Sequence, residues 1–148
     1  AFGARVRDVS ELLAATGPAP ATGERLTVAV DHPCHLMHGQ RLSDPPARVL
    51  AAIGGLHAAE LPDASNCCGS AGLYSLAQPA LSQQILAPKL AGIAASDATV
   101  VATGNPGCMM HIGAGLIRAG SRVRVRHPVE LLDAAYAHQA QQDREGTR

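Results

Sequence analysis

LTVAVDHPC, residues 26–34, decides how this chain is organised. Residues 26–31 form a short β-branched run, apolar enough to be a strand covered on both faces of a sheet. Cys34 follows within three positions. The same order recurs along the chain. A weaker strand pattern at 56–61 precedes Cys67 and Cys68, and TVVAT at 99–103 precedes the turn GNPG (104–107) and Cys108. A fourth strand is expected at 123–126. Helical patterns fill the intervals. One starts near Ser43, which can cap it, with Pro45 and Pro46 in the first turn, where their missing N–H groups cost little, and with Val49, Leu50 and Ile53 facing the core. The others span 79–95, 107–119 and 129–142. Pro88 lies inside the second and should kink or split it. Ahead of the first strand, residues 8–15 read as a helix with Val9, Leu12 and Leu13 on one face and Gly17 past its end, and 17–23 as a loop. The polar tail, 141–148, is expected to fray. This alternation predicts an α/β fold: a mainly parallel sheet of about four strands with helices on both faces and the cysteines at the C-terminal ends of the strands.

The composition is that of a globular domain, with 47% hydrophobic and 16% charged residues in 148. Lys and Arg (12) balance Asp and Glu (12) without a block of either sign, which argues against a nucleic-acid or anionic-membrane surface. No apolar run approaches the roughly 20 residues that a transmembrane helix needs. The longest, 109–117, is interrupted by His111, Gly113 and Gly115. The first residue is Ala1 and the opening reads as a helix in progress, so a fragment of a longer polypeptide, or a processed one, is expected. No secretory pattern is present, and a reducing cytosol is the expected compartment, where four cysteines are not a disulfide framework.

The cysteines then call for another explanation. Single free cysteines are commonly small buried hydrophobes, but here all four follow strands. In a parallel α/β sheet, ligands bind beyond the strand C-termini, so Cys34, Cys67, Cys68 and Cys108 are expected at one edge, each near the start of a helix. N–H groups and the helix dipole there favour the thiolate that a soft metal requires. Gly69, Gly72, Gly104 and Gly107 permit close backbone approach, or simply make tight turns. His32 and His35 are candidates for hydrogen bonding around the site, and His38 and His57 for exposed loop positions. Met109 and Met110 read as helix packing, Tyr74 as cover or core, and Asp31 as a histidine partner or loop cap. No nucleophile–base set, paired acids or phosphate-binding glycine loop is present, and no residue is assigned a catalytic role.

Three segments carry a family resemblance: DHPCHLMHGQ (31–40), NCCGSAGLYSLAQP (66–79) and TGNPGCMMHI (103–112). Together they resemble the CCG cysteine-rich domain of heterodisulfide-reductase-like proteins and of glycolate and lactate oxidase iron–sulfur subunits, and most of all the second such domain of the glycolate oxidase type. The family pattern is one Cys, a Cys pair followed by Gly, then CxxC. This chain has Cys108 at the first position of CxxC and His111 at the second, which departs from the five-thiolate, non-cubane set. Four thiolates, with or without an imidazole, suffice for a [4Fe–4S] cluster or for zinc.

The resemblance implies an electron-transfer domain within a flavin-dependent complex that oxidises a 2-hydroxy acid, not catalytic alone. It implies a flavoprotein partner, a ferredoxin-type region upstream in the same chain, and a location in the cytoplasm or peripheral to the inner membrane face. With the residue pattern, it gives a division into a helix and linker from a preceding region at 1–25, the cysteine-rich domain at 26–142 and a frayed tail at 143–148. The alternative is a zinc-binding or metal-free docking domain that assembles the oxidase subunits. Thiol–disulfide chemistry at Cys67–Cys68 ranks below both, because vicinal disulfides are strained.

Overall fold

A computed structural model describes residues 2–147; Ala1 and Arg148, the two ends named above, lie outside the described residues. The fold is α/β, with four strands, all parallel, in the order β2-β1-β3-β4. After a 3-10 turn at Phe2–Arg5, α1 (Val9–Thr16) begins where Asp8 Oδ1 accepts the Ser10 N–H at 2.8 Å and ends at Gly17 with φ 72°.

Strand β1 (Ala21–Asp31) is five residues longer than its apolar run. Ala21 pairs with Ile53 and Thr22 with Gly54, the register shifts, and pairing resumes at Leu26 opposite Leu56. A Cβ at Gly23 would meet Ile53 Cγ2 at 3.0 Å, so glycine lets this irregular stretch lie flat against its neighbour. Polar TGE therefore joins the sheet although composition reads it as a loop.

Pro33, which has no N–H for a ladder, follows β1, and a single π turn occupies His35–Gly39. Helix α2 (Pro45–Ala51) starts after Asp44 instead of Ser43, with no side-chain cap bond, and β2 (Ile53–Ala59) takes Ile53 into the sheet. A one-turn helix, α3 (Tyr74–Ala77), precedes α4 (Pro79–Ala95), which Pro88 does not split, since it removes only one of the helix's hydrogen bonds. Strand β3 (Val100–Thr103), α5 (Pro106–Arg118), β4 (Arg124–Arg126) and α6 (Pro128–Gly146) complete the chain. His127 caps α6: its Nδ1 accepts from Val129 N–H at 3.1 Å, while Glu130 accepts from His127 N–H at 2.8 Å. That helix runs on past residue 142, through a polar stretch, to Gly146.

The sheet has two faces and two cores. Val28, Val100 and Ala102 face α2 and α6 through Val49, Leu50, Leu131 and Leu132. Val101, one residue out of phase, faces α4 and α5 through Leu86, Ile93, Ile112 and Leu116, as the two-residue strand period requires. Cys68 and Cys108 belong to this second core. Edge strand β4 is three residues long with two exposed arginines, which discourages pairing with another sheet. Among the described residues no helix is long and apolar enough to cross a membrane.

Candidate metal centre

Asp31 lies opposite Thr103 in the ladder, so the central strands β1 and β3 end level with each other. The chain leaves β1 for α2 on one face and β3 for α5 on the other, which opens a crevice between the two strand ends. Cys34 follows β1 and Cys108 sits in the first turn of α5, after β3. Asn105 caps that turn: its Oδ1 accepts the Cys108 N–H at 3.0 Å, and its Nδ2 donates to His35 Nδ1 at 3.0 Å, joining the two cysteine segments.

Cys67 and Cys68 arrive on the long loop between β2 and α3, several residues from either element. The expectation that each thiol opens a helix therefore holds for Cys34 and Cys108 and not for the pair. The pair is held by a turn instead. Gly69 has φ 83°, and a Cβ there would stand 2.5 Å from the Ser82 carbonyl. The Gly69 N–H points at Cys67 Sγ, 3.3 Å away, and the Gly69 carbonyl accepts from Ser82 Oγ at 2.8 Å. Gly107 performs a matching role on α5, since a Cβ there would meet Ser70 Oγ at 3.0 Å. Two glycines thus let the pair's loop press against α4 on one side and the first turn of α5 on the other.

The outcome is a cluster of thiols. Cys68 and Cys108 Sγ lie 3.0 Å apart and buried, whereas Cys34 and Cys67 face solvent. The Cys68 thiol is lowered to about 7, chiefly by the hydrogen bond from Cys108, against the opposing effect of burial. Cys108 is pushed far up, first by that same bond and then by burial. One hydrogen bond between the two buried sulfurs thus lowers one thiol and raises the other. The Cys34 thiol is raised by the protein that covers part of it and by the neighbouring Cys67 and Cys68.

His111 points elsewhere. Its Nε2 is 3.0 Å from Ser82 Oγ, whose single proton is already donated to the Gly69 carbonyl. With that proton spent, Ser82 is free to accept, and an Nε2–H donating to it would leave Nδ1 as the only ring nitrogen with a lone pair. His38 and His57 are exposed, Met110 faces solvent and Tyr74 is half-buried. Among the described residues Asp31 bonds neither a histidine nor a loop N–H; it accepts from Thr103 Oγ1 at 2.7 Å and pairs with Lys89 Nζ at 2.5 Å. Lys89, Ser82 and Asn105 were not singled out from the sequence. A signal for the first two existed: Ser82, Leu86, Lys89 and Ile93 form one helical stripe, and a lone charge on an apolar stripe marks a buried pair.

The donor set is soft and thiol-rich, and the glycines leave room for backbone N–H groups to approach sulfur, both of which suit an iron–sulfur centre. Among the described residues no three His, Cys, Asp or Glu side chains converge on one point as a single ion would require.

The sequence pattern of the CCG family, described as a cysteine-rich domain, matches residues 28–113, a span that takes in all four thiols. The chain belongs to the cysteine-rich domain family. This cysteine-rich domain is 36% identical over 107 residues to a probable glycolate oxidase iron-sulfur subunit of Bacillus subtilis strain 168, covering 71% of this chain and 24% of that protein. It is 33% identical over 103 residues to the glycolate oxidase iron-sulfur subunit of Escherichia coli K12, covering 70% and 24%. It is also 33% identical over 101 residues to lactate utilization protein A of Geobacillus kaustophilus, covering 68% and 42%. The matched stretch spans 24–42% of these relatives' length.

Proposed function

We propose that this cysteine-rich domain holds an iron–sulfur centre of the [4Fe–4S] type through Cys34, Cys67, Cys68 and Cys108, within residues 26–142, and serves a flavin-dependent complex that oxidises a 2-hydroxy acid. The observation that carries this reading is the Cys68–Cys108 contact at 3.0 Å beside the crevice between β1 and β3, with Cys34 and Cys67 on the adjoining segments at its exposed side. A bound cluster would supply one-electron transfer. The chain's own residues would orient the sulfurs: Asn105 fixes the turn bearing Cys108, and the Gly69–Ser82 bond fixes the turn bearing the pair. The Gly69 N–H bond to Cys67 Sγ would raise a reduction potential. Relatives named as iron-sulfur subunits support a cluster-bearing subunit with partner subunits; the proposal further takes the partner as a flavoprotein, with an upstream ferredoxin-type region and a cytoplasmic or peripheral location. The domain has no catalytic residue of its own in this scheme.

A zinc-binding docking domain is the second reading, favoured by His111 at the last position of the CxxC pattern, which leaves four thiols, the number a structural zinc site uses. One experiment separates the two: metal analysis and visible absorption of anaerobically purified protein. Several irons per chain with broad thiolate-to-iron absorption support the cluster. One zinc in a colourless sample overturns it.

A further inference from the structure

Lys89 is the only charged residue of α4 and is almost wholly buried. Burying an ammonium is costly unless it is paired and its N–H groups are satisfied. Its Nζ meets three oxygens: Asp31 Oδ1 at 2.5 Å, the Ala64 carbonyl at 3.2 Å and the Asp63 carbonyl at 3.5 Å. Asp31 in turn accepts from Thr103 Oγ1. These partners sit on three different segments. Asp31 ends β1, three residues before Cys34; Thr103 ends β3, five before Cys108; and Asp63 and Ala64 lie on the loop that carries Cys67 and Cys68. The only main-chain tie described between that stretch of loop and β1's end is His32 N–H to the Ala64 carbonyl at 3.0 Å. Leu61, at the start of the loop, packs on the second core, and Pro62, Asp63, Ser65, Asn66 and Cys67 face solvent.

We propose that Lys89 is the positioning residue of the thiol site: paired with Asp31, its ammonium clamps the loop bearing Cys67 and Cys68 onto the ends of the two central strands, so that all three cysteine segments share one buried anchor. The role deepens the metal-centre reading and rests on it only for what the clamped thiols hold. The clamp itself is a property of the polypeptide. Removing it frees the loop while the strands stay paired.

The test uses the full chain, metal-free and reduced, in three forms: unaltered, Asp31→Asn/Lys89→Met, and Lys89→Arg. The double variant removes both charges together, so neither is left buried without a partner, a change that folds commonly tolerate. Iodoacetamide labelling, assigned to single cysteines by fragment-ion mass spectrometry, is read alongside amide hydrogen exchange. In the double variant Cys68 should label about ten- to a hundredfold faster, the factor that hydrogen bonds from a charged donor carry. Exchange should rise over residues 62–72 and stay unchanged over β3. Lys89→Arg keeps the charge and offers N–H groups to the same oxygens, so it should restore protection of Cys68. Wild-type labelling and exchange in the folded double variant would overturn the clamp, as would an equal rise over loop and β3, which marks general loosening. If the unaltered chain takes up neither iron nor zinc on reconstitution, the metal reading fails while the labelling still decides the clamp.

Discussion

Cys68 and Cys108 share one hydrogen bond whose effect on the two thiols is opposite, and this makes stability pH-dependent in the metal-free chain. Cys68 is lowered from 9.0 to about 7, so its contribution is complete above the unfolded value and fades as pH falls through about 7. Cys108 is raised, so its contribution is complete below its ordinary value and is lost at higher pH. Between about pH 7 and 9 the unfolded chain binds more protons than the native one, and stability rises with pH there. The melting temperature of the metal-free protein should climb across that window, and the climb should vanish in Cys108→Ala, which cannot donate to Cys68; scanning calorimetry at several pH values checks this. His111 offers a second test. Because its Nε2 is engaged with Ser82, His111→Ala should keep wild-type metal content by elemental analysis and lose only about 1 kcal/mol of stability, one hydrogen bond's worth. A sharp loss of metal would place the imidazole among the ligands instead.

Helix α4 links packing to the site. One stripe of it holds Ser82 against the Gly69 turn, Leu86 and Ile93 in the core that contains Cys68 and Cys108, and Lys89 beneath the loop. Gly115 of α5 lets the two helices close, since a Cβ there would stand 2.9 Å from both Leu86 Cδ2 and Leu90 Cδ1. Truncating Leu86 should therefore open a cavity behind the buried thiols. Leu86→Ala is expected to cost about 2–5 kcal/mol in urea unfolding. Leu81, on the exposed side of the same helix, is the control: Leu81→Ala should stay within about 0.5 kcal/mol of wild type.

For the whole molecule, a centre held by three segments should stabilise the assembled fold, because the unfolded chain offers no such gathering of thiols. A metal that binds only the native form adds stability that grows with its excess, about 2.7 kcal/mol at a hundredfold excess over the dissociation constant. The loaded protein should then melt above the metal-free one. Cys67→Ser/Cys68→Ser should lower metal content and close that gap in melting temperature. Undiminished metal in the double variant would remove the pair from the ligand set.

The alternation of β-branched runs with helical stretches determined the α/β class, the strand count and the placing of cysteines after strands, because covered parallel strands are short and apolar and their crossovers are helical. Local signals also placed α1, α4 and α5 to within a residue or two: Gly17 past the end of α1, the periodic run from 79 for α4, and the GNPG turn ahead of α5. What local sequence did not carry was decided by partners distant in the chain. TGE at 22–24 became strand because β2 offers it a ladder and Gly23 fits against Ile53. The distances within the thiol cluster arose in the same way, with Gly69 pressed on Ser82 and Gly107 on Ser70. His111 turned to a serine 29 positions away, and Lys89 to an aspartate 58 away. Spacing along a chain reports which residues share an element face. Which carboxylate satisfies a buried ammonium, and which thiol keeps the proton, depends on desolvation and contact across elements, and these exist only once the tertiary structure has formed.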